Sequence, residues 1–180
     1  MKKSNRKGFT LVELVVVIAI IGILAAILVP TMMNYVKKAK LKSANSSAKL
    51  VYTTVNNMAA DLMVDGDDAK ISGQTVSKIS DLKSSDENKK LQNAVYQALS
   101  DNGNTAGYAC WAIDNTSHNV LVAQWAQTNT ANTIVGQYPN PAKTVEHATT
   151  QIGTTLNVDD AKWSTANPPV MPTNATPSNP

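Results

Sequence analysis

The sequence predicts an α+β protein in which a long N-terminal helix packs against an antiparallel β-sheet. The first supporting observation is an apolar run from Leu14 to Val29, which together with the preceding residues from Phe9 is about as long as a membrane-crossing helix. The second is a spacing of three to five residues between apolar positions that continues well beyond this run. The third is an alternation of apolar and polar residues in the second half of the chain, which is typical of β-strands.

The basic character of the chain lies in its first eight residues. The sequence has 16 Lys and Arg, 13 Asp and Glu, and a formal net charge of +3. The four basic residues before Gly8 are Lys2, Lys3, Arg6 and Lys7, and 12 basic side chains remain without them. No basic patch with interleaved aromatic residues occurs elsewhere, so the sequence indicates no clear nucleic-acid site.

The apolar run has three competing interpretations. It is a secretory signal peptide cleaved near Ala25-Ala26, a plain single-pass anchor, or a segment kept by the mature protein after a cytoplasmic leader is removed. As a helix, Phe9–Val29 would be about 31 Å long, close to the hydrocarbon thickness of a bilayer. The basic cluster should remain cytoplasmic, which directs the rest of the chain outward.

Glu13 favours the third interpretation. A carboxylate in a membrane helix costs about 2.5–3.5 kcal/mol at the bilayer centre, so its presence calls for a partner. Cleavage after Gly8 would create an α-amine on Phe9 with a reference pKa of about 7.7–8. Glu13 lies one helical turn further along and could meet that amine on a neighbouring subunit.

The segment Gly8-Phe9-Thr10-Leu11-Val12-Glu13, followed by about twenty mostly apolar residues, resembles the class III signal of type IV pilins and pseudopilins. The resemblance implies that prepilin peptidase cuts between Gly8 and Phe9 and N-methylates Phe9. It also implies that Glu13 pairs with the N-terminal amine of an adjacent subunit during assembly. Pro30 matches the proline that this family tends to have in its long first helix.

The resemblance implies a structural subunit of a homopolymeric type IV pilus, first held in the cell membrane with an extracellular headgroup and then exposed on the cell surface. The alternative is a pseudopilin of a type II secretion or competence DNA-uptake system. Implied partners are prepilin peptidase, the assembly ATPase, membrane platform proteins, minor pilins and, before assembly, membrane lipid. Motility, adhesion and DNA uptake are not distinguished. Pilins of Gram-negative bacteria often have a C-terminal loop closed by a disulfide, and this chain has only Cys110. In this respect it resembles a Gram-positive major pilin.

The expected organisation is a cleaved leader over residues 1–8, a membrane or filament-core helix over 9–30, a headgroup over 31–166 and a tail over 167–180. The tail is rich in Pro, Asn and Thr, which favours an extended or disordered chain.

The first helix should extend from about Phe9 to about Leu62 and carry an apolar stripe on one face. This stripe consists of Val36, Ala39, Ala44, Ala48, Val51, Val55, Met58 and Leu62. Gly22 and Pro30 mark an expected kink, which either merely bends the helix or loosens it for filament packing. Both accounts of the kink remain open.

The segment Asp65–Asp68 should end the first helix as a solvated turn. It fails the calcium-loop pattern, because Lys70 stands where Gly is required. A second helix should begin at an N-cap on Ser84 or Ser85 and stop at Asn102-Gly103. Its apolar stripe consists of Leu91, Val95, Ala98 and Leu99.

Three strands follow, predicted at Ala106–Asp114, Asn119–Gln127 and Thr133–Tyr138, and their short links favour an antiparallel meander. In the first strand, the buried face is either Ala109, Trp111 and Ile113 or Tyr108, Cys110 and Ala112, and the pattern does not decide between them. A further short element is expected at Leu156–Trp163.

The sequence predicts no enzyme, no cofactor and no metal site. His118 lies in an expected turn and His147 in a polar stretch, with no spacing that marks a base or a ligand set. Cys110 is the only cysteine, so no intrachain disulfide forms and burial as a small apolar residue is expected.

Overall fold

The computed structural model describes residues 8–100, 106–114 and 116–154. The helices are α1 (Leu11–Val64), α2 (Lys90–Ser100) and α3 (Val145–Ala148), and the strands are β1 (Gln74–Lys78), β2 (Tyr108–Ile113), β3 (Val120–Ala126), β4 (Thr133–Tyr138) and β5 (Thr149–Thr150). Short 3₁₀ helices occupy Asp68–Lys70, Ile79–Leu82 and Glu87–Lys89. The predictions for the leader before Gly8, the Asn102-Gly103 stop, the Leu156–Trp163 element and the tail lie outside the described residues.

The chain divides into two compact units, residues 1–37 and 38–180. Helix α1 begins in the first unit and ends in the second, at Val64, and its bounds differ from the predicted ones by about two residues at each end. In the first unit, every described residue is exposed. In the second unit, the buried residues form two hydrophobic clusters, one containing Trp111 and the other containing Cys110.

The sheet has five strands in the order β1-β2-β3-β4-β5, and every neighbouring pair is antiparallel. The predicted meander of β2, β3 and β4 is therefore confirmed. Strand β1 was not predicted, because its residues Gln-Thr-Val-Ser-Lys include one large apolar side chain and show no alternation. Strand β5 contains only two residues, which is too short for a periodic signal.

The first hydrophobic cluster joins α1 to the sheet and to α2. Its α1 members are Ala44, Ala48, Val51, Val55, Ala59 and Leu62, which follow the 3.6-residue period. Ala109, Trp111 and Ile113 contribute the sheet face, and Leu91, Val95 and Leu99 contribute α2. Part of the predicted α1 stripe is wrong: Val36 and Ala39 are exposed, because the buried face of α1 begins only at Leu41.

The second hydrophobic cluster covers the opposite face of the sheet. It contains Cys110, Ala112, Val122, Ala126 and Val135 from the strands, together with Leu41, Ala142, Ala148 and Ile152. Both faces of β2 therefore pack against a core. This explains why the sequence did not reveal a single buried face: the strand Tyr-Ala-Cys-Trp-Ala-Ile is apolar on both sides.

A buried glutamine holds the last described segment on the second face of the sheet. Gln124 Nε2 donates to Gln137 Oε1 at 2.9 Å and to the Thr154 carbonyl at 2.8 Å. The Gly153 N–H donates to Gln124 Oε1 at 2.9 Å. Because both ends of the Gln124 amide are satisfied, its complete burial does not leave an unpaired polar group in the core.

The predicted N-cap of the second helix is wrong. The Asp86 side chain accepts a hydrogen bond from the Asn88 N–H at 2.9 Å and caps the 3₁₀ turn that leads into α2. Ser84 Oγ instead accepts from the Asp86 N–H at 3.1 Å. Of the predicted stripe, Leu91, Val95 and Leu99 are buried and Ala98 is only half-buried.

The backbone of α1 lies directly against β4 at Gly136. A Cβ atom built on Gly136 would lie 2.0 Å from the carbonyl oxygen of Ala44, a distance that no side chain tolerates. Next to this contact, Asn45 Oδ1 accepts a hydrogen bond from the Gln137 N–H at 3.2 Å. The rings of Tyr52 and Tyr138 meet edge to face at 5.0 Å. The glycine therefore sets the separation between helix and sheet.

Gly136→Ala is expected to lower the free energy of unfolding by at least about 2 kcal/mol, because the new methyl group must push α1 away from β4. The measurement is denaturant unfolding of the full chain in detergent, followed by near-ultraviolet circular dichroism. Gly66→Ala is the control. Its Cβ position has no packing neighbour within 4 Å, so the only expected cost comes from its φ of +76°. This control should lower the free energy of unfolding by about 1 kcal/mol. Equal decreases in the two variants would contradict the close helix–sheet contact at Gly136.

The Cys110 thiol should be unreactive in the folded protein. Burial raises the pKa of Cys110 to about 12, against smaller opposing effects from Gly153 and Gln124, so almost no thiolate forms at pH 8. Maleimide labelling should be at least about a hundredfold slower than at an exposed Ser80→Cys in a Cys110→Ala background. Denaturant should remove the difference, and rapid labelling of the folded chain would show that Cys110 is accessible.

Candidate functional site

Thr10 and Glu13 form a reciprocal hydrogen-bonded cap at the beginning of α1. The Thr10 N–H donates to Glu13 Oε2 at 2.9 Å, and the Thr10 hydroxyl donates to the same oxygen at 2.6 Å. The Glu13 N–H donates in turn to Thr10 Oγ1 at 3.3 Å. This is the capping box, in which the first side chain and the fourth satisfy each other's unpaired backbone N–H groups.

The cap leaves one carboxylate oxygen of Glu13 available. Both bonds from Thr10 reach Oε2, and Oε1 accepts no hydrogen bond from any described residue. Gly8 and Phe9 precede the cap, and the Phe9 side chain is 83% exposed. An ionised carboxylate with a free oxygen, one turn from an exposed chain segment, can accept a charge-assisted hydrogen bond from an external cation.

The cap was not predicted from the sequence. From the sequence, Glu13 is expected to pair with another subunit and Thr10 has no role. The signal was nevertheless present, since Thr-x-x-Glu in front of an apolar run is the sequence pattern of a capping box.

The first part of α1 presents an apolar surface on all sides. Every residue from Leu14 to Val29 is exposed, and an 18-residue window of this helix reaches a mean hydropathy of 3.1. Among the described residues, α1 is the one helix that is long and apolar enough to cross a membrane. A surface of this kind requires lipid or other apolar helices around it.

Gly22 and Pro30 both lie inside α1. Since Pro30 has no N–H, one carbonyl of the preceding turn loses its usual helical partner. Thr31 Oγ1 donates to the Leu28 carbonyl at 2.8 Å in the same turn. The helix assignment continues through both residues, and the kink at Gly22 and Pro30 stays a prediction.

The described residues show no cluster that suggests catalysis. No group of three or more His, Cys, Asp and Glu side chains could hold a metal ion within these residues. His118 lies in the turn between β2 and β3, and His147 lies in α3. In the acidic turn after α1, the Lys70 Nζ donates to Asp67 Oδ2 at 2.7 Å and lowers the pKa of Asp67. This contact agrees with an ordinary surface turn.

The headgroup also contains an open cleft of about 390 Å³ next to α1. Its lining is formed by Lys40, Ser43, Ala44, Trp125, Gln127, Thr128, Asn132, Thr133 and Ile134. The lining includes no carboxylate, histidine or cysteine. The only groups in it that could act as an acid or a nucleophile are the Ser and Thr hydroxyls and the Lys40 amine.

Comparison with known proteins identifies the segment that carries this site. The family of the prokaryotic N-terminal methylation motif matches residues 3–29, which include Gly8, Phe9 and Glu13. A type IV major fimbrial protein FimA of Dichelobacter nodosus is 33% identical over 135 residues, covering 75% of this chain and 81% of the relative. No solved structure matches the chain.

Other relatives match over shorter stretches. A fimbrial protein of Moraxella nonliquefaciens is 40% identical over 72 residues, covering 39% of this chain and 47% of the relative. The type IV major pilin protein PilA of Myxococcus xanthus (strain DK1622) is 47% identical over 49 residues, covering 27% of this chain and 22% of the relative. These relatives are structural pilins and not enzymes. Together with the FimA match, which extends over most of both chains, they show that the chain belongs to the type IV pilin family.

Proposed function

We propose that this structural pilus subunit matures by cleavage between Gly8 and Phe9 and by N-methylation of Phe9. The mature chain then polymerises through the apolar part of α1, with Glu13 accepting a hydrogen bond from the N-terminal amine of an adjacent copy. The relatives are named as fimbrial proteins and pilins, which favours a filament subunit over the pseudopilin alternative.

The observation that carries this proposal is that every residue of the apolar run from Leu14 to Val29 is exposed. Each large aliphatic side chain left in water forgoes about 1.5–3 kcal/mol of transfer free energy. Membrane lipid removes this surface from water before assembly, and sister helices remove it within the filament. The same segment thus serves as a membrane anchor and as the core of the polymer.

The geometry at Glu13 supports the proposed pairing. Its Oε2 is held by Thr10 while its Oε1 remains unpartnered among the described residues. The amine created on Phe9 would be largely protonated at neutral pH. A buried carboxylate without a partner is strongly unfavourable. A subunit therefore docks stably only where the amine of a neighbouring copy pairs with its Glu13. The pairing would select the axial position at which the subunit enters the filament.

The proposed location follows from the same features. Before assembly, the chain spans the cell membrane once and exposes its headgroup outside the cell; after assembly, it lies in an extracellular pilus. Prepilin peptidase, an assembly ATPase, membrane platform proteins and minor pilins are the partners that such a subunit requires. The basic residues before Gly8 orient the chain during insertion. Cleavage after Gly8 removes these charges from the mature subunit.

Filament subunits should begin at Phe9 and carry one N-terminal methyl group. Intact mass and N-terminal sequencing of sheared surface filaments provide the measurement, and membrane-held precursor from cells without prepilin peptidase provides the control. An intact leader on assembled filaments would refute the proposed processing. A mature chain beginning near Ala25-Ala26 would instead indicate an ordinary signal peptide.

Three variants separate the charge of Glu13 from its role in capping. Glu13→Gln keeps a side chain suited to the capping box but removes the charge, and it should abolish or strongly impair filament formation. Glu13→Ala should impair it to a similar extent. Thr10→Ala weakens the cap by about 1 kcal/mol but keeps the charge, so its filaments should form. Electron microscopy and quantification of sheared pilin measure the outcome.

Membrane insertion provides the control for these variants, since all three should remain resistant to alkaline extraction. Normal filaments from Glu13→Gln would show that the charge is dispensable. If Thr10→Ala failed as completely as Glu13→Ala, the role of Glu13 would be capping instead of pairing.

A further inference from the structure

A group of lysines follows the apolar part of α1 and has no acidic ion-pair partner among the described residues. Lys37, Lys38, Lys40 and Lys42 lie within six positions, and no Asp or Glu occurs between Leu14 and Ala60. All four lysines are exposed. The ion pairs found among the described residues, Lys70–Asp67 and Lys90–Glu87, involve other lysines.

These lysines are spread around the helix instead of lying on one face. At about 100° per residue, Lys40 lies about 160° from Lys42, whereas Lys38 and Lys42 are only about 40° apart. Lys37, the residue before Lys38, lies on yet another side. We call Lys37, Lys38, Lys40 and Lys42 the lysine collar. Leu41 and Ala44 in the same stretch are buried, so the open sides of the helix present separate positive groups instead of one protein-binding face.

The residues before the collar are typical of a membrane interface. Lys37 lies about 12 Å along the helix from Val29, the last residue of the apolar run. Met32, Met33 and Tyr35 lie between them and are exposed. Tyrosine is enriched where a bilayer meets water, and lysine stems extend along apolar surface to reach the headgroups. The collar therefore begins about 12 Å and ends about 20 Å beyond the apolar run, and its long side chains can extend back toward the phosphate groups.

We propose that the lysine collar binds the headgroups of anionic phospholipids on the outer side of the membrane and holds the unassembled subunit there. This inference rests on the proposed membrane-held state and extends it, because it names a lipid class and the residues that select it. Clustered juxtamembrane lysines attract anionic lipid through their summed positive charge. Entry into a filament would then exchange these headgroups for other contacts, so anionic lipid should favour the unassembled state.

The test measures lipid selectivity of the full chain reconstituted at low density in phosphatidylcholine bilayers. Electron spin resonance compares the association of spin-labelled phosphatidylglycerol with that of spin-labelled phosphatidylcholine. The native chain should prefer phosphatidylglycerol by at least about threefold, and the preference should decrease at high salt because the contacts are electrostatic. Changing all four collar lysines to Gln should reduce the preference by at least half.

The matched control removes the same charge elsewhere in the headgroup. It changes four other exposed lysines, Lys78, Lys83, Lys89 and Lys143, to Gln. The basic leader is present in all three chains, so it contributes equally to each measurement. The control should keep the native preference. Equal selectivity in the collar variant and the native chain would overturn the proposal, as would equal reductions in the two variants.

Two further outcomes have distinct meanings. Extraction of the native chain by alkali would refute the membrane-held state itself and the collar with it, whereas an inserted chain without selectivity would refute the collar alone. The proposal would also be overturned if the chain showed no lipid selectivity and native filaments retained duplex DNA while filaments of the collar variant did not. That result would assign these lysines to nucleic acid.

Discussion

The apolar surface of the first part of α1 is the constraint on which the rest of the protein depends. Side chains from Leu14 to Val29 are exposed on every side of the helix, and no element of the described chain covers them. Such a surface is stable only in lipid or against other helices of the same kind. Membrane lipid and neighbouring pilin helices are therefore two ways to remove the same apolar surface from water. The structural role of the family agrees with this requirement.

The headgroup solves a different problem, which is to attach a sheet to the remaining part of the same helix. Close approach at Gly136 and the small side chains of Ala44 and Ala48 allow β4 to lie directly on α1. The opposite face of the sheet has its own apolar cluster, and hydrogen bonds between Gln124 and the last described segment hold that segment in place. The second unit thus has a core that makes no use of the apolar run.

Charge is distributed along α1 in a way that accords with these two tasks. Glu13 is the acidic residue of the first turn, capped by Thr10 through one carboxylate oxygen. No other acidic residue follows before Asp61, while the lysine collar lies just beyond the apolar run. In the proposals made above, the single carboxylate near one end of the apolar run acts in docking, and the lysines past its other end act in lipid contact.

The sequence by itself determined the long helix, the meander of β2, β3 and β4 and the motif around Gly8, Phe9 and Glu13, because periodicity and motif spacing are local properties. Tertiary structure alone decided that both faces of β2 are buried and that β1 joins the sheet. Each depends on what packs against a segment, which its own residues do not encode. Thr10 is an intermediate case, since its pattern was visible but its bonds to Glu13 appear only in the folded helix.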